Sequence, residues 1–220
     1  NGQNFKANAG IKIFGGWSRG FPQKSISFFA RKKYGPSEFK YQIFPKSSID
    51  AFESFIIRNS GNDWDQTMLR DGYVNNIINE IDIDYQQYRP AIGYINGEYW
   101  GIYNLREKIS EHFISSHHDI PTDRINLLAY NGAFENNLEL IHGSKNDFLE
   151  LIQYISSNDL TRPEVYKTVS NWIDIDEYIK YHIIQIFIDN RDWPGNNVKM
   201  WRDSKENGKW RWILYDTDFG

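Results

Sequence analysis

The sequence has no cysteine. A disulfide scaffold, a thiol nucleophile and cysteine-ligated zinc are therefore excluded, and thiol usage says nothing about redox compartment. It also lacks any run near the roughly 18 apolar residues that a membrane-spanning helix needs, and residues 1–10 show no charged-then-apolar signal pattern. An excess of positive charge is missing too. Lys and Arg number 25 against 29 Asp and Glu, a formal charge of -4, which argues against a duplex nucleic acid partner because phosphate backbones are held by clustered cations. The small basic group Lys24, Arg31, Lys32 and Lys33 could still serve something as small as a nucleotide. No internal repeat and no low-complexity linker interrupts the chain.

What is present is apolar material, 40% of the residues with 16% aromatic, enough for one domain or for two lobes sharing a cleft. Ile11 to Phe14 and Lys24 to Phe29 read as strands flanking a turn-rich loop, Gly15 to Gly20, and a short strand is expected over Phe39 to Phe44. From Asp65 to Ile81 the residues Met68, Leu69, Ile77, Ile78 and Ile81 recur at helical spacing, with Asp65 able to cap the first turn. Ala91 to Ile95 and Tyr99 to Leu105 are joined by Asn96-Gly97, the dipeptide that most favours a tight hairpin because both positions tolerate positive φ. A helix over Glu107 to His118, a strand at Ile125 to Leu128 and caps or turns at Asn136-Asn137 and Asn158-Asp159 are expected after it.

The last fifty residues carry the chemistry. Asp174 to Ile188 reads as a helix, with Ile175, Tyr178, Ile179, His182, Ile183 and Ile186 able to line one side and Asp174 at the end where the dipole favours a negative charge. A polar loop, Asp189 to Asn197, then opens onto a hairpin: Val198 to Arg202, a turn at Ser204 to Gly208, and the alternating run Lys209 to Tyr215. Asp218-Phe219-Gly220 follows. Asp192 and Asn197, five apart, are on their own an ordinary turn-and-cap pair. In the order helix, D-x-x-x-x-N loop, hairpin, D-F-G they match the parts with which protein kinases hold metal and substrate. A hairpin returns its two ends to one place, so Asn197 at its entrance and Asp218 past its exit can grip one hard cation, and an amide oxygen with a carboxylate suits magnesium. Asp192 could then orient and deprotonate an attacking hydroxyl. Asn196 could replace Asn197 if the loop shifts register by one. Asp216 lies two residues from Asp218, on the same face of an extended chain, so either carboxylate can lead.

The residues also resemble a known family. Arg19-Gly20 with Lys24-Ser25, Leu69-Arg70-Asp71, Arg89-Pro90-Ala91, the stretch Tyr94 through Glu107, Asp192-Trp193 with Asn196-Asn197, and Trp212 through Asp218 look like the CotH kinase family, related to spore-coat protein H, over nearly the whole chain. The resemblance implies an α+β, kinase-like two-lobed fold, with residues 1–106 forming small-lobe strands, helix and hinge hairpin and residues 107–220 forming large-lobe helices, catalytic loop, second hairpin and D-F-G. It implies ATP-dependent phosphorylation of protein Ser or Thr hydroxyls with Mg2+ or Mn2+. Asp192 would be the catalytic base, Asn197 with Asp218 or Asp216 the metal ligands, and Lys24, with Arg19 and Glu107, the nucleotide contacts. The acidic partner of Lys24 stays open among Glu80, Asp71 and Glu107, and Arg58 and Arg70 read equally as structural ion-pair residues. The sequence departs from the usual kinase pattern in two places: Gly15-Gly16 and Gly20 only approximate the Gly-rich loop, and Asn190-Arg191 precede Asp192 where a histidine is usual. An extracytoplasmic, secreted or coat-associated setting is implied by the resemblance alone. The abrupt stop after D-F-G is what a piece of a longer protein would show. The rival reading is a non-catalytic pseudokinase or coat scaffold that binds glycan through exposed aromatics.

Other residues suit structural roles. His117-His118 with Asp119 read as a helix end near the negative dipole pole rather than a metal site. His182 reads as a core or interlobe residue, and Trp210 and Trp212, alternating along a strand, as core.

Overall fold

The computed structural model describes residues 4–132, 137–205 and 207–219; Asn136 and Gly220 lie outside them. In chain order the elements are strands β1 (Gly10–Phe14), β2 (Ser25–Phe29), β3 (Phe39–Lys40), β4 (Ala51–Phe52) and β5 (Ser54–Arg58), helix α1 (Arg70–Ile77), and strands β6 (Asp84–Tyr85), β7 (Tyr88–Ile95) and β8 (Glu98–Glu107). Helix α2 (Glu111–His118), strands β9 (Ile125–Tyr130) and β10 (Leu138–His142), helices α3 (Asn146–Ser157), α4 (Pro163–Trp172) and α5 (Ile175–Phe187), and strands β11 (Val198–Asp203) and β12 (Arg211–Leu214) complete this mixed α and β chain. It divides into two compact units, Asn1–Ile78 with Gln86–Phe113, and Asn79–Tyr85 with Ile114–Gly220.

The first unit is built on an antiparallel sheet of order β1-β2-β5-β8-β7. Its hairpin β7–β8 turns at Asn96 and Gly97, both at positive φ, 53° and 85°, as the dipeptide requires. Ile43, Phe44 and Phe52 form an apolar cluster with Phe55 and Leu105 packed on it. The strand expected over Phe39 to Phe44 is therefore cut to two residues, because the chain turns Ile43 and Phe44 into that core.

The helix expected from Asp65 begins only at Arg70, and Asp63 does the work assigned to Asp65. The fully buried Asp63 carboxylate accepts from the backbone N–H groups of Thr67 (3.0 Å), Leu69 (2.8 Å) and Arg70 (3.1 Å) and from the Thr67 hydroxyl (2.6 Å). Burial alone would raise its pKa, but these bonds outweigh it and hold the carboxyl below its usual range. Wrapping four donors around one side chain coils residues 64–69 into a turn, with Met68 at φ 58°, and helical geometry starts afterwards. Nor is the helix expected over Glu107 to His118 complete. Glu107 closes β8 opposite Phe55, and α2 starts at Glu111.

The second unit carries a sheet of order β10-β9-β11-β12-β6, antiparallel except for the β12–β6 pair. Strand β9 is buried along Ile125 to Ala129, as expected of an apolar strand with neighbours on both edges. Trp210 and Trp212 are core residues, as their alternation indicates. Helix α5 is capped by Asp174, whose side chain accepts from the Glu177 N–H. Its apolar row behaves differently from expectation. Ile179, Ile183 and Ile186 are exposed, while Glu177, Tyr181, Ile184 and Gln185 are buried. The reason lies in β12: both Glu177 carboxylate oxygens sit 3.1 Å from the Trp212 N–H, so the polar side of the helix docks where a strand donor needs an acceptor.

A charged cluster surrounds that contact. Arg211 reaches Asp174 at 2.6 Å and stands 3.6 Å from Asp84, which also accepts from the Trp201 indole (2.7 Å) and pairs with His118 (2.8 Å). Burial pushes Glu177 up to about 8; the Trp212 N–H and Arg211 oppose the rise, while Asp84 and Asp174 add to it. The folded protein thus holds this proton more tightly than an unperturbed glutamate of pKa 4.5, so the associated stability is complete below that value and is lost as the pH climbs through about 8. The melting temperature should therefore fall between about pH 5 and pH 8.5. Glu177→Gln, which keeps an oxygen for the Trp212 N–H, should flatten that fall; equal pH slopes for the two proteins would contradict it.

Candidate active site

The loop after α5 is held at several points. The chain leaves the helix through Asp189 at φ 51°, and Asn190, buried beneath the loop, accepts the N–H of Trp193 on its carbonyl at 3.3 Å. Asp192 is half-buried, and its carbonyl accepts the N–H of Asn196 at 2.7 Å, closing a turn around Trp193 and Pro194, whose peptide bond is cis. Asn197, at φ 56°, ends the turn and passes the chain into β11. Left-handed backbone is tolerated by asparagine better than by most residues, which makes an amide side chain at this corner the expected choice. Its Nδ2 donates to Oδ2 of Asp192 at 3.1 Å.

The hairpin then brings the chain back. Lys199 pairs with Ile213, Met200 with Trp212 and Trp201 with Arg211, and the Lys199 ammonium lies 4.1 Å from the centroid of the Tyr215 ring. Asp216, at φ 56°, turns the chain out of the strand, Thr217 and Asp218 are buried, and the Phe219 carbonyl accepts the N–H of Arg191 at 2.8 Å. The stretch that holds Asp216 and Asp218 is thereby tied to the loop that holds Asp192 and Asn197. Burial raises the pKa of Asp192, the negative charge of Asp216 raises it further, and the Asn196 side chain works the other way.

Asp192 thus has the Asn197 amide bonded to it and the Asp216 charge acting on it. Among the described residues no group of three or more His, Asp or Glu side chains gathers closely enough to hold a metal ion. The available donors still fit magnesium, which commonly takes one or two carboxylates and fills its shell with water and phosphate oxygens. With Nδ2 of Asn197 committed to Asp192, the amide presents its oxygen as the remaining donor. The mutual repulsion of Asp192 and Asp216 is also what a cation would relieve.

The remaining sequence candidates belong to the first unit. The Lys24 ammonium donates to the carbonyls of Arg19 and Phe21, each at 2.6 Å, and so closes the turn Trp17–Gly20; Arg19 itself is exposed. Glu107 is buried in β8, where its carboxylate accepts the Gln87 N–H at 2.9 Å. Of the acids considered for Lys24, Asp71 pairs with Arg58 and Arg106, both at 2.9 Å. Arg58 is an ion-pair residue, as its sequence context suggested, and Arg70 pairs with Asp63 at 3.4 Å. Glu80 is exposed and lies in the second unit.

A family model described as CotH kinase protein matches residues 11–220. The chain belongs to the CotH kinase family. Comparison with curated proteins gives no match. As a CotH kinase family member the chain has a mixed α and β fold with five helices among the described residues, and no described helix is long and apolar enough to cross a membrane.

Two residues of this region had no signal in the sequence. Asn190 stood out only as the residue before Arg191. Gly132, just past β9, donates its N–H to the Gly195 carbonyl at 2.7 Å, and a Cβ built on it would lie 2.2 Å from that oxygen. Only glycine lets the loop lie against the end of β9. Gly132→Ala should shift the loop, destabilise the protein by about 1–3 kcal/mol and speed exchange of the Asn196 amide. Unchanged melting and exchange would show that the contact is dispensable.

Proposed function

We propose that this CotH kinase family member transfers the γ-phosphoryl group of a nucleotide triphosphate to a Ser or Thr hydroxyl of a protein. The observation that supports this reading is the return of the β11–β12 hairpin, after which the Arg191 N–H meets the Phe219 carbonyl and the Asp216 charge acts on Asp192. Asp192 would be the base. Asn197 donates to its Oδ2 and so orients the carboxylate, which would accept the hydroxyl proton as the new oxygen–phosphorus bond forms and the bond to the leaving nucleoside diphosphate breaks. A carboxyl with a raised pKa accepts that proton more readily than an ordinary aspartate.

Asn197 and Asp218 or Asp216 would hold Mg2+ or Mn2+, which when bound neutralises charge on the phosphate oxygens. Lys24, Arg19 and Glu107 are proposed as nucleotide contacts on the family resemblance, as is an extracytoplasmic setting. Since most of the catalysis is positioning and charge neutralisation, the loop that fixes Asp192 matters as much as the carboxylate itself.

One observation favours a second reading. Tyr94 and Tyr99, paired across β7–β8, are 64% and 62% exposed beside the exposed Ile92 and Ile102, and such a patch suits a scaffold or glycan-binding module without catalysis. Metal-dependent nucleotide binding separates the two. Magnesium-ATP should raise the melting temperature, and phosphate incorporation into a protein acceptor should fall by at least about 100-fold in Asp192→Ala and clearly in Asp218→Ala. Unchanged incorporation in both variants would overturn the assignments, and the absence of any thermal shift would favour the scaffold.

A further inference from the structure

We infer that Gln185 and Asn190 form a buried amide relay that positions Asp192 from helix α5. This rests on the phosphoryl-transfer reading. The Nδ2 of Asn190 donates to Oε1 of Gln185 at 2.8 Å, and its Oδ1 accepts the backbone N–H of Asp192 at 3.3 Å. The two side chains are 5% and 1% exposed.

The polarity of the relay is fixed from one end. A backbone N–H can only donate, so the Asp192 N–H turns the Asn190 oxygen toward itself. That aims the Asn190 NH2 group at α5, where an acceptor is needed, and the Gln185 oxygen meets it. The backbone repeats the link, since the Asn190 N–H donates to the Gln185 carbonyl at 3.2 Å.

Buried amides cost free energy unless their donors and acceptors are satisfied. The Gln185 oxygen is the group that meets Asn190, and the buried Tyr181 hydroxyl beside it interacts with Gln185 and with Trp193 of the loop. One residue earlier, the Arg191 N–H is anchored to the Phe219 carbonyl. The relay adds an anchor from α5, so the consecutive backbone N–H groups of Arg191 and Asp192 are both held.

Gln185→Leu fills similar space but removes the acceptor, and Asn190→Ala removes the acceptor for Asp192 while leaving α5 intact. Each should lower kcat for phosphate incorporation by about 10- to 100-fold, the scale of a loss from small misplacement, with the nucleotide KM changed less than about twofold. The amide exchange of Asp192 should quicken about tenfold or more. Gln185→Glu, which keeps an oxygen toward Asn190, should recover most of both losses relative to Gln185→Leu. A kcat that stays at the wild-type value in Asn190→Ala while Asp192→Ala is inactive would overturn the relay, as would a lower kcat with unchanged Asp192 exchange. A wild-type protein that incorporates no phosphate overturns the phosphoryl-transfer reading instead. In that event the exchange rates, which need no turnover, still decide whether Gln185 and Asn190 hold the Asp192 backbone.

Discussion

Everything proposed for this protein depends on one return of the chain. Strands β11 and β12 leave the loop at Asn197 and come back at Tyr215, and the hydrogen bond from the Arg191 N–H to the Phe219 carbonyl closes the circuit. The hairpin is stiff because β11 is paired on its other edge with β9 over six residues, from Val198 opposite Tyr130 to Asp203 opposite Ile125. A strand with neighbours on both sides cannot slip by one residue without sending buried side chains to the wrong face. Asn197, just before β11, and Asp216, two residues past β12, are thus placed by sheet register.

Register is in turn secured by polar contacts that would be expensive to misplace. In the second unit Asp84 is shared by His118, Trp201 and Arg211, with Asp174 and Glu177 alongside. Burial favours the neutral form of Asp84, yet its His118 and Trp201 partners and Arg211 keep it below the usual carboxylate range. In the first unit Asp71 holds Arg58 and Arg106 in the same way. Removing one member of a buried pair typically costs about 3–5 kcal/mol, far more than the net worth of the pair. Such groups discriminate against wrong arrangements even where they add little to the stability of the right one.

Much of this was legible in the sequence, for identifiable reasons. The Asn96-Gly97 turn, the strand at Ile125, the cap at Asp174 and the β11–β12 hairpin follow from local rules of turn chemistry and periodicity, and the order of D-x-x-x-x-N loop, hairpin and D-F-G motivates the proposal that oxygen donors converge there. The resemblance to the CotH kinase family is matched by the family model over residues 11–220. Where local rules failed, a distant partner had decided the matter. Asp63 displaced Asp65 because it gathers donors from Thr67, Leu69 and Arg70, and α5 buries Glu177 and Gln185 because Trp212 and Asn190 need acceptors. Gly132 was invisible because its constraint is the carbonyl of Gly195, 63 positions along the chain. No window of sequence holds both.

The loop around Asp192 and the stretch after β12 are proposed to act on one divalent ion. Paramagnetic broadening of backbone amide resonances by Mn2+, titrated in the presence of ATP, tests it most directly. Amides of residues 191–193, 195–197 and 215–219 should broaden together at the same low metal concentration, and Asn197→Ala should weaken both effects in parallel. Broadening of one stretch without the other, or of neither, would contradict it.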